Sequence, residues 1–146
     1  MKKMSQEVRK CISEIAKDYS FVVQVRRGTD EDIYDKNLMF RSPLYNSAVF
    51  ISKVTGIANA NGDISYLKVA VHPDEFRREL LNPSMGIDDY INRQSKVNRH
   101  HSSNYREGRF PNDIPGKNEP YGKCYKVQNL SALSVLFAGL SDRPST

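Results

Sequence analysis

Apolar side chains first recur at helical spacing at Val8, Cys11, Ile12, Ile15 and Tyr19, with Arg9, Lys10, Ser13, Glu14 and Lys17 between them. This pattern predicts an amphipathic helix. Ser5 stands where an N-cap is needed, and Glu7 lies in the first turn, where a carboxylate suits the positive end of the dipole. Next, FVVQVRR at residues 21 to 27 is rich in β-branched residues and alternates only in part, so it reads as a strand, which GTDED ends.

The clearest local signal spans residues 46 to 71. Two β-rich runs, NSAVFISKVTGIA and ISYLKVAV, flank a gap in which Asn61 and Gly62 supply the positive φ angles of a tight turn. An antiparallel hairpin is expected. In its second arm Leu67, Val69 and Val71 share one face, predicted to be core, and Tyr66, Lys68, Ala70 and His72 share a mixed one.

His72, Pro73, Asp74 and Glu75 read as the opening of a short helix carrying Phe76 and Leu80 on one face, stopped by Asn82 and Pro83. Ile87, Tyr90, Ile91 and Val97 then restart a helical stripe that could run on to His101. On such a helix Arg93, Lys96 and His100 would form an outward cationic ridge, and His101 would turn back toward the apolar side. From about Arg99 to Gly122 no apolar period is visible, so a long loop is predicted, of a length usually functional or disordered. CYKVQNL resumes as a strand, and Leu133, Leu136, Phe137 and Leu140 trace a last helix. Clustered rather than alternating elements predict an α+β fold: a mostly antiparallel sheet built on the central hairpin, with an N-terminal and a C-terminal helix packed on it.

Length and composition narrow this picture. A chain of 146 residues, 38% hydrophobic and 27% charged, fits one globular domain, expected over residues 1 to 140 with the basic loop at about 99 to 122 and a flexible tail at 141 to 146. No apolar run of about 18 residues exists to span a membrane. MKKMSQEVRKC lacks the apolar core and cleavage site of a signal peptide, and Cys11 and Cys124 form no CxxC pair. Free thiols in a reducing cytoplasm are the expectation.

Charge changes the picture more. Residues 93 to 126 carry eight Lys and Arg against three Asp and Glu, while the rest of the chain is balanced. Arg93, Lys96, Arg99, Arg106, Arg109, Lys117, Lys123 and Lys126 are interleaved with Tyr105, Phe110, Tyr121 and Tyr125. Cations attract phosphates and exposed aromatics stack on unpaired bases, so these cations, with His100 and Tyr105, are the candidate contacts to RNA or another single strand. No major-groove motif is present to suggest duplex reading. A solvated basic face explains the same residues, and a protein-binding module or inhibitor acting through the long loop is the alternative function.

Catalytic signatures are sparse. His72 and His100 could act as the acid and base of metal-independent RNA cleavage, with Arg99 and Arg106 holding the phosphate. His72 and Asp74 bracket a proline and could, with His100, ligate a metal, but a helix-opening turn accounts for them equally and no metal or cofactor is expected. Cys124 between lysines could be activated, yet on a strand its neighbours point to the opposite face, and a buried thiol is the simpler reading. GxSxG, GxGxxG and HExxH are absent, and Gly116 with Lys117 lacks the rest of a P-loop.

Overall fold

In the computed structural model, which describes residues 4 to 53 and 66 to 141, Ser5 Oγ accepts the Val8 amide hydrogen at 3.2 Å and opens α1 (Gln6–Lys17). Seven strands follow: β1 (Val22–Val23), β2 (Asn37–Arg41), β3 (Val49–Ser52), β4 (Leu67–Val71), β5 (Ile87–Asp89), β6 (His100–His101) and β7 (Tyr121–Val127). The last element is α2 (Leu130–Ser141), whose first turn is held by Asn129 Oδ1 accepting from the Ala132 amide at 2.8 Å. All seven strands form one antiparallel sheet in the order β1, β2, β3, β4, β7, β5, with β6 also paired to β7. The fold is thus α+β, with a terminal helix at each end of the chain. The two arms of the expected hairpin pair as β3 and β4, Phe50 opposite Ala70. Their connecting turn, with Asn61 and Gly62, lies outside the described residues, as do residues 142 to 146 of the expected tail.

Strand alternation divides the side chains between two cores. Leu38, Phe40, Val49, Ile51, Leu67, Val69, Val71, Tyr125 and Val127 face the helices, where they meet Ile12 and Ala16 of α1 and Leu133, Leu136, Phe137 and Leu140 of α2. Phe137 sets its ring 5.1 Å from Phe21 and 5.9 Å from Phe40. Met39, Ala48, Phe50, Ala70 and Cys124 face the other way, into a smaller cluster closed by Tyr105 and Phe110. Where a second core also covers the other face, clean polar and apolar alternation is not needed, which explains the nearly continuous apolar runs of β2 and β3.

The structure corrects the sequence reading at five places. FVVQVRR yields only the two-residue β1, with Val25 making an isolated bridge to Asp32. The strand β2 was not anticipated. The His72 to Leu80 helix is instead two separate 3-10 turns, Pro73–Glu75 and Arg78–Leu80. Between them Phe76 stacks on Tyr125 at 4.7 Å, so packing on the sheet sets this path rather than helical continuity. Nor is there a helix from Ile87 to His101, because Ile87 begins β5 and His100 begins β6. The segment 99 to 122, expected to be a long loop without an apolar period, holds a 3-10 turn at Ser103–Arg106 and buries Tyr105 and Phe110 on the sheet. Phe110 fits because residue 122 is glycine: a Cβ there would lie 2.6 Å from its ring and 2.9 Å from the Val71 carbonyl oxygen.

Candidate functional site

The segment between β5 and β6 builds the site, and local turn chemistry explains its shape. Asn92 Oδ1 accepts from the Gln94 amide at 2.8 Å and from the Ser95 amide at 3.3 Å, the side-chain turn by which asparagine competes with a helix. The loop then closes through Asn92 N–H to the Val97 carbonyl at 2.9 Å, with Lys96 in the left-handed region at φ 62°. Asn98 ties this loop to the sheet. Its Oδ1 accepts the Cys124 amide hydrogen and its Nδ2 donates to the Cys124 carbonyl, both at 2.8 Å, and to the Asp89 carboxylate. Cys124 sits on β7 between the stretches that β5 and β6 pair, so the Asn98 side chain supplies the acceptor for its amide that neither strand provides.

This loop walls an open cleft of about 670 Å³ on the sheet face away from the helices, lined by Tyr66, Lys68, Tyr90, Arg93, His100 and Lys126 among others. Lys68 and Lys126 are direct cross-strand partners. Each ammonium lies over a tyrosine ring, Lys68 at 5.4 Å from the Tyr90 centroid and Lys126 at 4.7 Å from that of Tyr66. The two rings are 5.9 Å apart. Burial, followed by a hydrogen bond to Tyr66, raises the Tyr90 phenol above its ordinary value, while the charge of Arg93 opposes this. Asp89 also lines the cleft, but its carboxylate is engaged by Asn98 and by Arg78 Nη1 at 3.6 Å.

Of the residues singled out from the sequence, Arg93, His100 and Lys126 meet at this cleft. The others are dispersed. Lys123 lies on the opposite sheet face, its ammonium 5.5 Å from the Phe76 centroid. Arg106 donates to the Asn118 carbonyl at 2.7 Å, and Lys96, Arg109 and Lys117 are exposed outside the cleft lining. Arg99 is half-buried and acts on Tyr121. Tyr105 is buried, with Phe50 at 5.0 Å and Phe110 at 4.8 Å, so its ring is occupied by the core rather than open to a base. Lys68, Tyr66 and Tyr90 were not singled out. Tyr66 and Lys68 did share the mixed face of their strand, but only the pairing of β4 with β7 brings that face to Lys126.

The two histidines differ from the sequence expectation. His100 is buried and turned to the sheet instead of outward, while His101 is half-exposed. His100 Nε2 donates to the Tyr90 carbonyl at 2.8 Å, which fixes its tautomer. Its ring meets Tyr90 edge-on at 5.1 Å. His72 does not line the cleft; its Nδ1 accepts from the Asp74 amide at 3.0 Å and caps the first 3-10 turn. Burial, reinforced by Lys68 and opposed by the Tyr90 hydrogen bond, pulls the His100 pKa from 6.5 down to about 4.

The unfolded chain therefore takes up this proton near pH 6.5, whereas the folded chain resists it until about pH 4. Stability should be highest above 6.5 and fall across that window, by about 3 kcal/mol in full and roughly 2 once water on the cleft side of the ring is allowed for. Urea unfolding at about pH 7 and about pH 4.5 checks this against His100→Gln, whose amide can still donate to Tyr90 and which should lose roughly 2 kcal/mol less between the two.

Burial likewise pushes the Cys124 thiol up to about 12, despite the nearby charge of Lys68, so it is a core residue and no nucleophile. Among the described residues no group of three or more His, Cys, Asp or Glu is placed to hold a metal ion, and no helix is long and apolar enough to cross a membrane. No known protein family, curated protein or solved structure matches the chain.

Proposed function

We propose that the chain binds single-stranded nucleic acid, RNA favoured over duplex DNA, through the cleft on the uncovered part of the sheet face away from the helices. The observation that carries this reading is the placing of Lys68 directly opposite Lys126, with Arg93 from a distant segment lining the same cleft. Like charges facing each other across a sheet are destabilising, and a bound phosphate chain relieves that repulsion. Tyr66 and Tyr90 beside them supply flat apolar surface for bases, and an open sheet is a platform on which single strands are held in other folds. The half-buried Cys11 and buried Cys124, both free thiols, support a reducing cytoplasm as the setting.

Binding of a fluorescent oligouridylate by the purified chain tests this. Affinity should fall steeply between about 50 and 200 mM salt, and Lys68→Ala and Lys126→Ala should each weaken it by roughly threefold to tenfold and flatten the salt slope by about one. Lys117→Ala, outside the cleft, should change little. No binding at low salt would overturn the reading. Cleavage of the strand in EDTA, lost in His72→Ala or His100→Ala, would replace it with the ribonuclease reading, although the neutral, carbonyl-bound His100 favours binding without turnover.

A further inference from the structure

A second recess, about 160 Å³, adjoins the cleft and shares Lys68 with it. Lys36, Asn37, Ser52 and His101 line it around a floor that includes Phe50. Among the described residues no carboxylate pairs with Lys36 or Lys68, whereas Lys53 on the neighbouring stretch is neutralised by Asp32 at 3.1 Å. His101 Nδ1 donates to the Glu119 carbonyl at 3.2 Å, so the neutral ring has only an acceptor at Nε2 and supplies no donor to an anion. Two cations, Lys36 and Lys68, round a space of this size suit a compact, highly charged anion.

One side of the recess is closed by the segment that covers the sheet, which contributes Ser102 and Tyr105 to its lining. Asn37 Nδ2 donates to Asn104 Oδ1 at 2.6 Å, tying the covering segment down onto β2. Behind that tie, Tyr105 is buried against Phe50. A strand following the cleft past Lys68 would bring its end to this recess. We propose, building on the reading above, that the recess receives the terminal phosphate of the bound strand, a phosphomonoester. Such a group carries roughly 1.5 to 2 negative charges at neutral pH, against one for an internal diester, and has three acceptor oxygens for the surrounding donors.

Oligouridylates identical except for a 5′-phosphate, a 3′-phosphate or two hydroxyl ends separate the possibilities in one binding series with the full chain. One of the two phosphorylated strands should bind about tenfold tighter than the hydroxyl-ended strand, and which one it is reports the direction of the strand. A hydroxyl-ended strand one nucleotide longer, which adds an ordinary diester charge, should bind within about twofold of the shorter one. Lys36→Ala, at an exposed position outside the cleft, should abolish the preference while leaving the hydroxyl-ended strand bound as before. Equal binding of all three strands, or a preference that persists in Lys36→Ala, would overturn the terminal-phosphate site while leaving the cleft as the strand's binding surface. Failure of every strand to bind at low salt would instead remove the nucleic-acid reading itself, and the site with it.

Discussion

Replacing Phe50 by alanine is expected to destabilise the protein by about 4 kcal/mol, the upper range for a large side chain removed from a tight core. Phe50 is 1% exposed, and its ring meets three other aromatic rings in the second core. Its ring lies 5.0 Å from Tyr105, 5.4 Å from Phe110 in an edge-on arrangement, and 6.2 Å from Tyr34. Backbone also approaches it closely: a Cβ added at Gly108 would stand 2.7 Å from its Cε2. The truncation therefore removes the apolar transfer energy, leaves a cavity, and separates three aromatic contacts at once. Phe50→Leu, which keeps most of the volume, should cost only about 1 to 2 kcal/mol. Because this core is what holds residues 102 to 110 on the sheet, the alanine variant should also expose Arg106 and Arg109 to trypsin well before global unfolding. Equal trypsin resistance in Phe50→Ala and the parent would show that the covering segment is held by something other than this ring.

That second core marks the boundary of what the sequence made legible. The helices were readable because their periods are local: Val8, Ile12 and Ile15 in α1, and Leu133, Leu136, Phe137 and Leu140 in α2, declare a face without reference to the rest of the chain. The pairing of β3 with β4 was readable for the same reason. Tyr105 and Phe110, by contrast, sit among glycines, prolines and charges with no period at all, and their burial depends on a sheet face made by Phe50, Ala70 and Cys124, 14 to 60 positions away. The contiguous basic block was legible as charge but not as a surface. Lys123 and Lys126 are three apart on a strand, so they necessarily project to opposite faces, and the partner that Lys126 gains is Lys68, from a segment of zero net excess. Residues 87 to 97 misled because Ile87, Tyr90, Ile91 and Val97 do fit a helical stripe. The overriding signal was Asn92, whose side chain closes a turn that a helix would have to break.

Asn98 is the other position at which a single substitution should report on this architecture. Asn98→Ala is expected to cost about 3 kcal/mol, because it removes three hydrogen bonds and leaves the buried Cys124 amide hydrogen without an acceptor. The Cys124 carbonyl is less affected, since it also accepts from the Tyr90 amide at 3.1 Å. The penalty therefore falls mainly on one orphaned donor and on the freed Asp89 carboxylate. Asn98→Asp separates these contributions. A carboxylate at 98 can still accept from Cys124, but it has no proton for the Cys124 carbonyl or for Asp89, and it brings two like charges together. At neutral pH it should be no more stable than the alanine variant, despite being nearly isosteric with asparagine. Both variants should loosen the loop from residue 90 to 97 and so weaken binding at the cleft by moving Arg93, while Lys68 and Lys126 keep their places on the sheet. Hydrogen exchange read at the Cys124 amide is the direct measurement: it should be strongly protected in the parent and lose that protection in Asn98→Ala before the flanking amides of β7 do. Retained protection at Cys124 in Asn98→Ala would mean that this amide has another partner and that the side chain does not complete the sheet.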